Sequence, residues 1–209
     1  MNIHIRRFHT GPVSDETALE QFQKQWATYQ KLVDADALSH KAVGKILHDT
    51  LAGGEPIRVL TAIDLCTREC VALIASKTFT GSDVARLLSE AGSKRGGLPR
   101  RIRVDNGTEF TSKALDHWAY WNHVQLDFSR PGKPSDNAFI ESFNATLRRE
   151  CLSQHWFLTA ADAQQTLDAW REDYNNTRPH GSLADRPPAE YRRTGPWLPG
   201  PQRLETSHF

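Results

Sequence analysis

Cysteine is scarce, with 3 in 209 residues. An odd count at Cys66, Cys70 and Cys151 excludes a disulfide framework and fits a reducing compartment. Cys66 and Cys70 stand four apart, but no second Cys or His pair follows at zinc spacing. They are read as ordinary buried or half-buried thiols. Long apolar runs are also missing, and no apolar stretch follows Met1-Asn2-Ile3-His4-Ile5-Arg6-Arg7. Neither a membrane span nor a signal peptide is expected, and the chain reads as cytoplasmic. There is no excess of one charge, since 26 Lys and Arg face 25 Asp and Glu for a net +1. Global charge therefore announces no nucleic-acid partner, and only its distribution can. Lys94, Arg95, Arg100, Arg101 and Arg103 cluster, as do Arg148 with Arg149 and Arg192 with Arg193. Taken alone, such clusters are solvated faces.

What is present is a chain able to bury a core, with 38% apolar residues, nine Phe and six Trp. The tryptophans are read as core. Leu19, Phe22, Trp26, Tyr29 and Val33 recur at spacings of three and four behind a capping Ser14, which predicts an amphipathic helix. Gly53-Gly54-Glu55-Pro56 is a turn signal. Ile57–Asp64, Cys70–Ser76, Arg101–Val104 and Val124–Phe128 read as strands. Helices are expected from Thr80 or Ser82, over Lys113–Asn122, over about Asp136–Leu152, and from Ala160 to about Tyr174. The Pro-rich segment after Arg178-Pro179 reads as extended. Leading strands followed by alternating helices and short strands indicate an α/β domain with a mixed sheet covered by helices.

Two segments carry chemistry. In Arg101-Ile102-Arg103-Val104-Asp105-Asn106-Gly107 a strand delivers Asp105 to its end, and Gly107 permits a tight turn. In Asp136-Asn137-Ala138-Phe139-Ile140-Glu141 the acid falls in the first turns of a helix, with Asp136 or Asn137 as its cap. That helix packs with Phe139, Ile140, Phe143 and Leu147. It presents Glu141, Asn144 and Arg148 on a neighbouring face. Thirty-five residues separate Asp105 from Glu141.

This pattern resembles the integrase catalytic core shared by retroviral integrases and many insertion-sequence transposases. Ile57–Asp64, Ser129–Ala138, Tyr174-Asn175-Asn176-Thr177-Arg178-Pro179-His180-Gly181-Ser182-Leu183 and Pro187-Pro188-Ala189-Glu190-Tyr191 resemble further stretches of that family, in the same order. The resemblance runs from about 47 to 192. It implies an RNase H-like fold and DNA cleavage and strand transfer. Two divalent ions roughly 3.5–4 Å apart would act on the phosphodiester. It also implies Mg2+ (or Mn2+) held by Asp105 and Glu141 and double-stranded DNA, both transposon ends and target, as partner. Self-association is implied as well, and Arg130, Lys133, Asn144, Arg148 and Arg149 are the candidate DNA contacts.

The family's first acid has no counterpart. Counting back from Asp64 by the family's interval lands near Lys45, within Ala42-Val43-Gly44-Lys45-Ile46-Leu47-His48-Asp49. An ammonium there puts positive charge where metal ions would sit. Asp64 is the nearest candidate substitute. The expectation is a first strand that is disrupted, an atypical helical segment over 1–45, a catalytic core over 46–177 and a Pro-rich tail over 178–209. The alternative to a working enzyme is a catalytically defective DNA-binding or oligomerising remnant.

Overall fold

The computed structural model describes residues 41–130 and 138–194. The chain parts into two units, 1–39 and 40–209, and the fold described is that of the second. The expected helix over Leu19–Val33 and the caps at Asp136 and Asn137 lie outside the described residues.

The strands are β1 (Lys41–Thr50), β2 (Pro56–Asp64), β3 (Cys70–Ser76), β4 (Arg101–Val104) and β5 (Gln125–Phe128). The helices are α1 (Gly81–Arg95), α2 (Lys113–Trp121), α3 (Ala138–Glu150), α4 (Ala160–Asn176) and α5 (Pro188–Thr194). One mixed sheet runs in the order β3-β2-β1-β4-β5. β1 pairs antiparallel with β2 and parallel with β4, and β4 pairs parallel with β5.

The expected disruption of the first strand is corrected. β1 is an unbroken ten-residue strand at the centre of the sheet, and it crosses the boundary expected at 45/46. Its physical basis is ordinary: Ala42, Val43 and Ile46 are buried, and both neighbouring ladders satisfy its backbone. One lysine in a strand does not break it.

β2 is buried on both faces, from Val59 through Ile63, as a strand covered by helices on either side must be. On one side Ala42, Ile46, Leu60, Ile102 and Val104 meet Val84 and Leu88 of α1, Leu115 and Ala119 of α2, and Phe110. On the other, Ile140, Phe143 and Leu147 of α3 and Ala163 and Leu167 of α4 are buried. Thr80 opens α1 with a capping box to Asp83, and Gly96 closes it in the left-handed region.

The free edge of β3 is closed by side chains. Gln164 of α4 donates Nε2 to Leu73 O at 3.0 Å and accepts from Ala75 N at 2.7 Å. Asn175 treats both backbone groups of Cys70 in the same way, at 2.8 and 3.0 Å. The amides take the place of a sixth strand and block edge-to-edge pairing.

The tail reading is also corrected. Residues 181–183 make a 3-10 turn and 188–194 form α5. Pro188 occupies the first turn, where its missing N–H costs nothing, and Tyr191 is buried. Two tryptophans depart from the core reading, since Trp121 and Trp156 are 77% and 86% exposed. The thiols are free, with Cys70 and Cys151 buried and Cys66 half-buried. Burial pushes the Cys151 thiol up to about 11, which makes it inert.

The end of α3 is tied to the segment after α4 by a two-pronged ion pair, in which Arg178 Nη1 and Nη2 donate to the two carboxyl oxygens of Glu150. That hydrogen bonding holds the Glu150 carboxyl at about 2, against an ordinary 4.5. A depressed folded-state value contributes stability above the ordinary range, and this is lost as pH falls from about 4.5 through about 2. Glu150→Gln is expected to cost roughly 1 kcal/mol at pH 6 and almost nothing near pH 2, because the pair is partly exposed. Urea midpoints of both proteins across that range check it, and an unchanged difference at low pH would reject it.

Candidate active site

Strand pairing brings the chemistry-bearing positions together. In the parallel β1–β4 ladder the last paired row is Gly44 with Val104. One step further along both strands come Lys45 and Asp105. Both follow the parity of Val43 and Arg103, so they leave the sheet on one face. Adjacent strands lie about 4.8 Å apart, so these two side chains start as neighbours. α3 passes over this face and presents Glu141. The Lys45 ammonium lies 3.6 Å from Glu141 Oε1, with the two side chains 29% and 48% exposed.

The turn behind Asp105 fixes its carboxylate. Gly107 N donates to Asp105 Oδ1 at 3.0 Å. A Cβ on Gly107 would stand 3.0 Å from that oxygen and 3.1 Å from Glu109 Oε2, so any side chain there would press on both carboxylates. Glu109 is ion-paired with Arg58 of β2 and is half-buried. Sequence reasoning gave no sign of that pair, whose partners lie fifty-one residues apart. Thr61, fully buried opposite Lys45, donates to Lys45 O at 3.1 Å.

Asp64 does not join this group. It pairs with Ala42 in the β1–β2 ladder, whereas Lys45 pairs with Thr61. Three residues of strand, roughly 10 Å, separate the two rows. Asp64 Oδ1 accepts from Cys66 N and Thr67 N, and Oδ2 from Arg95 at 3.2 Å. It shapes the β2–β3 turn, and both its carboxylate oxygens are engaged there.

The candidate DNA contacts fall into different settings. Arg149 is 66% exposed and touches Glu150 at 3.1 Å. Arg148 donates to His48 O at 3.0 Å and lies 4.0 Å from Asp49, bracing α3 on the end of β1. Arg130 is exposed, and Lys133 lies outside the described residues. Asn144 is a correction. It is only 6% exposed, with both amide atoms buried and without hydrogen-bond partners. It sits on the core side of α3 between Ile140 and Leu147, where a duplex does not reach.

A divalent centre of the kind the family implies needs clustered oxygen donors. Asp105 and Glu141 supply two carboxylates, but the third position carries the Lys45 ammonium. Among the described residues no group of three His, Cys, Asp or Glu is placed to hold a metal ion. Like charges about 4 Å apart repel by roughly 4 kcal/mol per unit charge near a protein surface. An exposed ion pair contributes at most about 1 kcal/mol. The set therefore does not fit a two-ion centre, and the conflict is one of charge rather than of fold.

Models of the integrase core domain match residues 37–134 and 122–188. The first match reaches back through β1, beyond the start near 47 that the sequence motifs indicate. A protein of insertion element IS407 from Burkholderia multivorans is 46% identical over 143 residues, 68% of this chain and 51% of the relative. One of insertion element IS476 from Xanthomonas euvesicatoria is 43% identical, across 68% of this chain and 41% of its own length. The chain thus spans about half the length of these relatives. A protein of insertion element IS136 from Agrobacterium fabrum is 31% identical over 67% of this chain and 75% of its own. Among solved structures, the simian T-cell lymphotropic virus intasome gives a TM-score of 0.64 at 18% identity, covering 78% of this chain and 56% of that one. The HTLV-2 integrase catalytic core in complex with magnesium gives 0.59 at 13%, covering 73% and 95%. At such identities these two show the fold alone, which is RNase H-like. Ladder, helix placement and relatives agree, and the chain belongs to the integrase-core family of insertion-element transposases.

Proposed function

We propose that this chain engages double-stranded DNA and other copies of an integrase-type core without cutting DNA. One observation carries the reading: the Lys45 ammonium is paired with Glu141 at the β1 position beside Asp105. In two-metal strand transfer, clustered carboxylates hold ions that activate the attacking oxygen and stabilise the leaving one. Here one carboxylate of the pair is already neutralised by a side chain of this protein. Two of the candidate DNA contacts are exposed, Arg149 on α3 and Arg130 after β5, and they support this reading.

The opposed reading, cleavage and strand transfer by Asp105 and Glu141 with Mg2+ or Mn2+, has their common placement at one end of the sheet in its favour. It requires Lys45 to swing away and a third ligand to come from outside the described residues.

A duplex-binding titration with a parallel nicking assay in Mg2+ and Mn2+ tests the proposal. Binding is expected to weaken steeply with salt, with no product strands. Arg149→Gln is expected to reduce the slope of log K against log salt by about one. Nicking that Asp105→Asn abolishes would sink the proposal in favour of the enzyme, and binding indifferent to salt would remove DNA as the partner.

A further inference from the structure

The turn after β4 carries the one Asn-Gly pair in the chain, Asn106-Gly107. Its part in the site is the Gly107 N–H, which donates to Asp105 Oδ1 at 3.0 Å. Asn106 has a chemistry of its own. The carbon of an asparagine side-chain amide is joined to the next backbone nitrogen through Cβ, Cα and the backbone carbonyl carbon alone. Attack by that nitrogen closes a succinimide ring. Regular secondary structure and a following side chain ordinarily hinder the closure. Here Asn106 is exposed and lies outside strands and helices. Gly107 has no Cβ to shield the nitrogen, and glycine backbone turns more freely than any other. The acceptor of the Gly107 N–H is a carboxylate, which polarises that bond.

Asn122 supplies the contrast within the same chain. It is exposed as well. Its side-chain amide donates to Trp118 O at 2.8 Å, much as that of Asn106 donates to Ser129 O at 3.1 Å. The difference lies in the residue that follows. His123 flanks its own nitrogen with a Cβ and a ring. Its N–H donates to a carbonyl, Tyr120 O at 3.2 Å, rather than to a carboxylate. Two exposed asparagines, both with their amides engaged, thus present different nucleophiles to themselves.

We propose that Asn106 is a self-modification site, converted in the folded chain to aspartate and isoaspartate by attack of the Gly107 nitrogen. A bond forms from Gly107 N to Asn106 Cγ and the Cγ–Nδ2 bond breaks. The amide leaves as ammonia, taking the proton of the Gly107 nitrogen. Water then opens the ring. Opening at Cγ restores the ordinary backbone with an aspartate. Opening at the backbone carbonyl gives isoaspartate, whose main chain is longer by a methylene. Either product lowers the net charge by one, from +1 to 0. A carboxylate only accepts, so the hydrogen bond from position 106 to Ser129 O is lost in both. The turn that positions Asp105 therefore changes with the age of the molecule. The modification stands whether or not the chain binds or cuts DNA, because its reactants are the protein and water.

The test incubates the full chain in its folded state, checked by circular dichroism at each time point. Aliquots are run on ion exchange, digested, and read by mass spectrometry with electron-transfer fragmentation, which separates aspartate from isoaspartate. The expected result is an acidic species that grows with time and carries the mass gain of amide to acid at position 106. Asn122 is expected to stay intact in the same digest. Asn106→Asp should run with the aspartate product from the outset. Asn106→Gln, which keeps an amide and Gly107 but must close a larger ring, should lose the acidic species. Gly107→Ala should slow its growth. Should that variant fold poorly, the Asn122 comparison in the parent carries the same point. An Asn106 that survives in the folded chain and converts only in urea would overturn the proposal, because the turn would then shield it. Conversion of Asn122 at the same pace would overturn the role given to Gly107. An undiminished acidic species in Asn106→Gln would place the reaction elsewhere and overturn the site.

Discussion

Lys45→Asp is expected to convert a protein indifferent to divalent cations into one stabilised by them. The substitution replaces the ammonium with a third carboxylate beside Asp105 and within reach of Glu141. In chelator the variant should be less stable than the parent by about 1–2 kcal/mol, because three like charges now converge without a counter-ion. Added Mn2+ or Mg2+ should reverse the order. At a hundred times the dissociation constant a ligand of the folded state contributes about 2.7 kcal/mol. For a chain of this size that is roughly 5–10 °C in Tm. The parent should move by less than about 1 °C under the same conditions. Thermal unfolding in chelator and in each cation measures both. An equal rise in the parent would show that Lys45 does not exclude the ion. No rise in the variant would show that Asp105 and Glu141 do not converge on one. Because binding rather than turnover is read, the test does not depend on having the right DNA.

Gly81→Ala is expected to be the most damaging single-methyl change in the described core. Gly81 opens α1 where it crosses the start of α2. A Cβ there would lie 1.7 Å from Ser112 Oγ, 2.5 Å from Ser112 Cβ and 3.0 Å from Glu109 O. The hydroxyl is not free to leave, since it caps α2 by accepting from Leu115 N at 3.2 Å and donates to Glu109 O at 3.0 Å. Even with the hydroxyl rotated, the Cβ and the carbonyl still collide. Backbone must shift, which costs typically 1–3 kcal/mol, and a lost cap adds about 1 kcal/mol. A total of about 3 kcal/mol is expected in urea unfolding. Ser112→Gly in the same chain removes both side-chain atoms, so the double variant should recover most of the packing loss but not the cap. A single variant within about 0.5 kcal/mol of the parent would contradict the account. The consequence reaches the turn after Asp105, because the Ser112 hydroxyl donates to the Glu109 carbonyl within it.

The strands and helices were legible because their signals are local. Cys70–Ser76 and Arg101–Val104 are bounded by Gly, Pro and charged turns, and they appear with the limits read from the sequence. Asp105 and Glu141 stood out for a similar reason, one at a strand end and one in a helical first turn. Three readings failed where the answer depended on partners. The first strand was expected to break because its acid was missing, but a strand is made by the ladders beside it. Asn144 was placed among the DNA contacts by helical spacing, but its direction is set by how α3 rolls on the sheet. The tail after Pro179 was read as extended from its prolines, whereas Pro188 starts a helix once Tyr191 has a core to enter.

The sequence by itself determined which residues can bear charge near the site and that a mixed α/β sheet forms. Those follow from side-chain chemistry and short-range periodicity, which every residue carries with it. Only the tertiary structure decided that Lys45 meets Glu141, that Asp64 holds the β2–β3 turn, and that Gln164 and Asn175 close the edge of β3. Each of these depends on strand register and on helices crossing the sheet, where residues dozens of positions apart become neighbours. No local pattern encodes that distance.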